Sequence, residues 1–221
     1  MQAVILYQSS IGKKALMAIT GLIGYGFVIG HMIGNLQAFP FLGGREALNA
    51  YAQFLRHTHG LLWVVRFVLL SAVVLHIFAA YQLTLTGWRA RPVGYRRWFP
   101  SGSDYASRTM RWSGPILGLF IVYHLMHLTL GNANLPFVEG DVYANVVNGF
   151  SIWYVSAFYI VAMLALGVHL YHGVWSLFQT MGWNSPKYDS ALHGLALITT
   201  LMVVIGNISI PVAVMAGIIH L

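Results

Sequence analysis

The chain contains no cysteine. That absence excludes disulfides, iron–sulfur clusters held by this chain, covalently attached c-type haem and cysteine-rich zinc sites. Any metal has to be bound through histidine or oxygen. Charge is scarce as well: 8% of the 221 residues are charged and five are acidic, against about 25% charged in ordinary soluble domains. None of the acidic residues falls in a long apolar stretch, which argues against a carboxylate proton relay within this chain. In place of charge the chain is 58% hydrophobic, with a mean hydropathy of +0.70. Such a composition belongs in lipid. The net charge of +7 does not imply nucleic acid, because a nucleic-acid domain places its basic residues on a soluble face. Here they cluster between apolar runs.

A membrane-crossing helix needs about 20 apolar residues. Five stretches qualify, at roughly 15–38, 61–87, 112–131, 150–178 and 192–219. The expected fold is therefore all-α, a five-helix integral membrane bundle forming one domain over residues 1–221. The first stretch follows Lys13 and Lys14 as a signal peptide would, but it is too long and meets no convincing small-residue cleavage site, so it is read as retained. Lys13, Lys14, Arg89, Arg91, Arg96, Arg97, Arg108, Arg111 and Lys187, nine of the twelve basic residues, fall on one side of such a bundle. The positive-inside rule then places the N-terminus and the Arg-rich 88–111 loop in the cytoplasm and the C-terminus outside. That loop suits a lipid-headgroup anchor and a docking platform equally. No internal repeat of fixed period and no low-complexity tract is evident.

Histidine inside a span is expensive and is by default a functional hypothesis. Six are present, His31, His76, His124, His127, His169 and His172, distributed over four spans. One could simply hydrogen-bond a neighbouring helix; six over four spans are hard to explain that way. At about 1.5 Å of rise per residue, His31 and His124 each lie about 10 Å below the outer boundary. His76 and His169 each lie about 13–17 Å from the inner one. Two level pairs result, each drawn from different helices, so that two imidazoles can approach a flat macrocycle from opposite faces. That is bis-histidine haem ligation. With both axial positions filled, the expected task is electron transfer.

Zinc or copper competes, since imidazole suits those metals too, but zinc wants a compact tetrahedral cluster, often completed by a carboxylate that no span supplies. Gly26, Gly30 and Gly34 recur every four residues around His31, and Gly114 and Gly118 precede His124. Close helix packing and room for a porphyrin edge both explain them. The spacing disfavours a bc-type cytochrome b, which carries two ligands on each of two helices. His127 and His172, three residues after His124 and His169, could replace those ligands but not join them on one iron.

Further residues carry a family resemblance. Thr20-Gly21 with Ile29-Gly30-His31-Met32-Ile33-Gly34-Asn35, Leu75-His76 leading to Tyr81, and Arg111-Trp112-Ser113-Gly114 through Tyr123-His124 look like three ligand segments of one family. The fourth is the most specific: in His169-Leu170-Tyr171-His172-Gly173-Val174-Trp175-Ser176 a histidine stands four residues before a Gly-x-Trp-Ser run. Over all five spans the chain resembles the single-polypeptide dihaem cytochrome b membrane anchor of succinate dehydrogenases and fumarate reductases. The resemblance selects His169 over His172 and His124 over His127.

It also implies two haem b groups, a proximal one on His76 and His169 and a distal one on His31 and His124. The implied partners are a flavoprotein with covalent FAD and an iron–sulfur subunit, which hold the remaining cofactors and the succinate site. Electrons would pass to quinone, menaquinone being favoured, in the cytoplasmic membrane of a bacterium. The 88–111 loop and N-terminal segment are the expected docking surface for the iron–sulfur subunit. Arg89, Arg108 and Arg111 are candidates for haem propionates, or else surface anchors. His127 and His172 are candidate quinone contacts, or else satisfied polar contacts. His57 and His59 carry little weight. Rival readings are fumarate reduction by the same anchor, the dihaem anchor of a nitrate reductase, formate dehydrogenase or hydrogenase, and a non-redox protein whose histidines sense or move protons.

Overall fold

The computed structural model describes residues 9–58, 60–90, 93 and 105–221. Arg91, Arg96, Arg97 and His59, most of the Arg-rich loop and the first eight residues lie outside them. Among the described residues the chain is all-helical. The order is α1 (Ser10–Leu36), a 3-10 turn (Pro40–Leu42), α2 (Gly44–His57), α3 (Leu61–Arg89), α4 (Tyr105–His124) running into a π-helical turn (Leu125–Thr129), α5 (Val142–Phe150), α6 (Trp153–Thr180) and α7 (Asp189–Met215). Ser9 caps α1 by accepting from the Gly12 N–H at 3.0 Å.

Four helices, α1, α3, α6 and α7, are long and apolar enough to cross a membrane. They match four of the expected stretches to within a few residues. The remaining stretch, 112–131, is α4 with its π turn, which begins earlier, at Tyr105, and is not among the four. The physical reason is composition, because its first turns carry Arg108, Arg111 and Ser113. Two further helices, α2 and α5, stand where the sequence suggested only loops. The large side chains of α3 lie mostly outward, among them Trp63, Phe67, Leu70 and Val74, as suits a lipid-facing helix.

The helices associate in two groups. α1 packs along α3 and α4 packs along α6; the two groups meet where α1 packs on α6, and α7 lies against both α6 and α1. By contrast α1 and α4, and likewise α3 and α6, make almost no direct packing contact. The best-packed region is the end of the bundle closed by α2 and α5. There Leu48, Tyr143, Val147, Phe150, Val155 and Ile219 are buried together.

Polar groups fasten this closure. Asp141 caps α5 by accepting from the Ala144 N–H at 3.0 Å, and it accepts from Asn49 Nδ2 at 2.8 Å and from Arg45. Asn49 Oδ1 accepts from the Tyr143 N–H at 3.1 Å, and the Tyr143 hydroxyl donates to the His220 carbonyl at 2.9 Å. Burial pushes the Asp141 carboxyl up, but the Ala144, Asn49 and Arg45 hydrogen bonds and the Arg45 charge outweigh it. The net effect holds it below the usual carboxylate range.

A depressed carboxyl contributes stability that is present at neutral pH and is lost as pH falls through the folded-state value. Asp141→Ala is therefore expected to cost about 0.5–2 kcal/mol, as for the loss of a helix cap. Thermal unfolding in detergent should show a lower Tm at pH 7. The deficit relative to the wild type should shrink as pH falls below about 4, the ordinary carboxyl value, toward the lower folded-state one.

Candidate functional site

The separated helices are bridged by four half-buried histidines. His31 on α1 faces His124 on α4 with ring centroids 5.7 Å apart and planes 89° to one another. His76 on α3 faces His169 on α6 at 6.2 Å and 57°. A metal–imidazole bond of about 2 Å, with the ring centroid about 1.2 Å behind its nitrogen, puts two trans imidazoles about 6.4 Å apart. The two separations are close to that arrangement. Among the described residues no three His, Cys, Asp or Glu side chains converge on one point, so the compact donor set of a zinc site is not formed.

Each pair has its own surroundings. His76 Nδ1 lies 3.1 Å from the Met17 carbonyl and 3.2 Å from Thr20 Oγ1. A carbonyl only accepts, so Nδ1 carries the proton and Nε2 keeps the lone pair that a metal needs. His169 Nδ1 lies 3.2 Å from Ser113 Oγ. In the other pair His31 stacks on Phe27 at 5.2 Å, and Phe120 lies 5.6 Å from His124. Tyr159 stands beside this pair, its hydroxyl 3.4 Å from His124 Nδ1 and 2.9 Å from His127 Nδ1.

Thr20 touches His76 and lies eleven residues before His31; Ser113 touches His169 and lies eleven before His124. Both intervals correspond to about 16 Å along a helix axis. The two pairs thus sit at two levels of one bundle.

These contacts expose a correspondence that inspection for a short-period repeat misses. Met17, Thr20, Gly21, Phe27, His31 and His76 are followed 93 residues later by Met110, Ser113, Gly114, Phe120, His124 and His169. The elements follow the same offset, α1 ending at Leu36 and the π turn at Thr129, α2 at His57 and α5 at Phe150. The expectation of no fixed-period repeat is corrected. Apart from a few positions the two halves are dissimilar in sequence, and the offset becomes visible once contacts identify which residues matter.

The glycines also separate into two kinds. A Cβ on Gly34 would run into Tyr51, so this residue serves the approach of α2 to α1. A Cβ on Gly26, Gly30, Gly114 or Gly118 would meet no protein atom within 4 Å. Close packing between helices therefore does not account for these four. A Cβ on Gly149 would strike the ring of His127, which is 4% exposed and enclosed by Phe150 and Tyr159.

A model of the succinate dehydrogenase/fumarate reductase transmembrane subunit family matches residues 94–206. The chain belongs to that family. No curated protein and no solved structure matches it. As a membrane subunit of succinate dehydrogenase/fumarate reductase complexes it works with catalytic partner subunits, and with four span-capable helices it is a multi-pass membrane protein.

The matched stretch contains His124 and His169, and the 93-residue correspondence extends the same pattern to His31 and His76. The other candidates in this family member are dispersed. Arg89 ends α3 and is exposed, and Arg111 lies over the Trp88 ring at 5.7 Å. Arg108 and Arg111 line an open groove with Tyr105, Ser107 and Thr109 at the start of α4. His172 is half-buried on α6, one turn beyond His169. His57 contacts the Gln53 carbonyl of its own helix at 2.8 Å.

Sequence reasoning did not assign roles to Thr20, Ser113 or Tyr159. The signal that finds the first two is the shared interval of 56 residues between each hydroxyl and the histidine it touches. Gly149→Ala is expected to drive His127 off Tyr159 and to destabilise the closed end of the bundle by about 1–3 kcal/mol, as overpacking does. The measurement is Tm in detergent, with Gly182→Ser as an unsuitable comparison because its φ is positive and Gly87→Ala as a suitable one.

Proposed function

We propose that this chain is the membrane-anchoring, dihaem cytochrome b subunit of a succinate:quinone oxidoreductase, respiratory complex II, in a bacterial cytoplasmic membrane. The observation that carries the proposal is the double pairing of imidazoles at a separation suited to trans axial ligation, across helices that do not pack on one another. The residues fit the group: two neutral nitrogen donors per site, a donor set without thiolate or carboxylate, and glycine backbone facing no neighbouring helix. His76 and His169 hold the proximal haem b, and His31 and His124 the distal one. Haem b in these positions supplies one-electron transfer between the iron–sulfur subunit and quinone.

The chain's own residues supply ligation, orientation and insulation. Met17, Thr20 and Ser113 orient the proximal ligands. The closure built by α2 and α5 shields the distal end from water. In this reading α4 completes five spans, the Arg-rich side faces the cytoplasm, and the iron–sulfur and FAD-bearing flavoprotein subunits dock there. Arg89, Arg108 and Arg111 then stand on the side of the proximal haem as cationic partners for propionates. Menaquinone is the proposed acceptor. His172 is a better quinone contact than His127, whose ring is buried with Nδ1 committed to Tyr159. Succinate oxidation is the proposed direction, and activity of the purified complex in both directions with menaquinone analogues distinguishes it from fumarate reduction.

Reduced-minus-oxidised spectra of the purified complex should show b-type haem at two per chain. His76→Ala and His169→Ala should each abolish the same haem signal, and His31→Ala and His124→Ala the other. One haem per chain, or the absence of a b-type band, would overturn the proposal.

A further inference from the structure

Each proximal histidine presents its Nδ1 to an aliphatic hydroxyl carried by a neighbouring helix of the same half of the chain, whereas His124 faces the phenolic hydroxyl of Tyr159 at the longer distance of 3.4 Å. Thr20 on α1 reaches His76 on α3, and Ser113 on α4 reaches His169 on α6, both at 3.2 Å. Both hydroxyls are buried, Thr20 at 5% exposure and Ser113 at 4%. Each also faces a carbonyl of its own helix, Thr20 Oγ1 lying 2.8 Å from the Leu16 oxygen and Ser113 Oγ 3.5 Å from the Met110 oxygen. A hydroxyl that donates its proton to its own helix presents a lone pair to the imidazole. The same device thus occurs twice, 93 residues apart.

We infer that Thr20 and Ser113 are matched positioning residues, each accepting a hydrogen bond from the Nδ1–H of a proximal axial histidine and so fixing its tautomer and electron-donating strength. The inference rests on the dihaem reading and adds to it an assignment of two residues that touch no metal. An imidazole whose far N–H is hydrogen-bonded is a more basic ligand, and loss of such a partner typically weakens metal binding about 10–100-fold. A weaker donor favours the ferrous state, so removing either hydroxyl raises the midpoint of the proximal haem. The two sites are not equal. His76 keeps the Met17 carbonyl when Thr20 is changed, whereas Ser113 is the Nδ1 partner of His169 among the described residues.

The test uses the whole complex carrying Thr20→Val or Ser113→Ala, with Thr20→Ser and Ser113→Thr as hydroxyl-retaining partners. Thr199→Val serves as a control, since the Thr199 hydroxyl donates within its own helix. Low-temperature EPR g values, redox titration and the rate of haem transfer to a scavenging apoprotein are the readouts. The expected result is a change of g value and a raised midpoint confined to the proximal haem, larger for Ser113→Ala, with haem release accelerated about tenfold. Thr20→Ser and Ser113→Thr should retain wild-type values. Proximal g values and midpoint that stay with the Thr199→Val control, or equal shifts in both haems, would overturn the inference. A wild-type complex without haem would instead overturn the dihaem reading itself, so the two failures are distinguishable.

Discussion

Everything in this molecule depends on how it satisfies imidazole nitrogens inside apolar helices. In hydrocarbon an unsatisfied polar group costs several kcal/mol because no water is available to pair with it. A histidine presents two such groups on opposite sides of its ring. At His76 and His169 the described residues supply a partner for one side only, through Met17, Thr20 and Ser113. The other side is turned to a partner histidine across helices held apart. Such an arrangement makes sense as a metal-binding geometry, where one nitrogen is fixed so that the other can donate.

That requirement organises the bundle. α1 and α3 form one packed unit, α4 and α6 another, and every facing pair takes one histidine from each unit. The helices that face each other across each pair, α1 with α4 and α3 with α6, have little direct contact, while α1 and α6 join the two units by packing on one another. The 93-residue correspondence shows the same solution used twice. Each half sets a hydroxyl on its histidine at one level, Thr20 on His76 and Ser113 on His169, and the halves diverge further near His31 and His124. Only the second half carries the π turn and the His127–Tyr159 pair, at positions corresponding to Gly34 and Arg66. A π turn shifts the register of the following side chains, and here it follows His124 directly.

The ends of the bundle differ in the same sense. One end is closed by α2 and α5, stitched by Asn49, Asp141 and Tyr143 over a buried apolar cluster. Arg108 and Arg111 stand at the start of α4, whose other end runs into the π turn on the way to the closure. A sealed end and a cationic, accessible one suit a family whose members are membrane subunits of larger complexes. The exposed side chains of α3 suit contact with lipid.

The sequence by itself determined the class of molecule. Long apolar stretches without acids, no cysteine, and histidines recurring within those stretches are local properties, readable one segment at a time. Helical rise, another local quantity, sorted His31 with His124 and His76 with His169, and these are the rings that the fold sets opposite one another. Only tertiary structure decided which polar atoms serve them. Thr20 lies 56 residues from His76 and Tyr159 lies 35 from His124, so neither contact has a local signature. The short helices α2 and α5 escaped for a related reason: nine or fourteen residues form a stable helix through the surface they pack on rather than through propensity. Likewise the glycines of α1 look alike in sequence, and it took the neighbouring helices to show that Gly34 meets Tyr51 while Gly26 and Gly30 meet nothing. Hydropathy is a property of each segment, whereas a hydrogen bond to Nδ1 belongs to two helices at once.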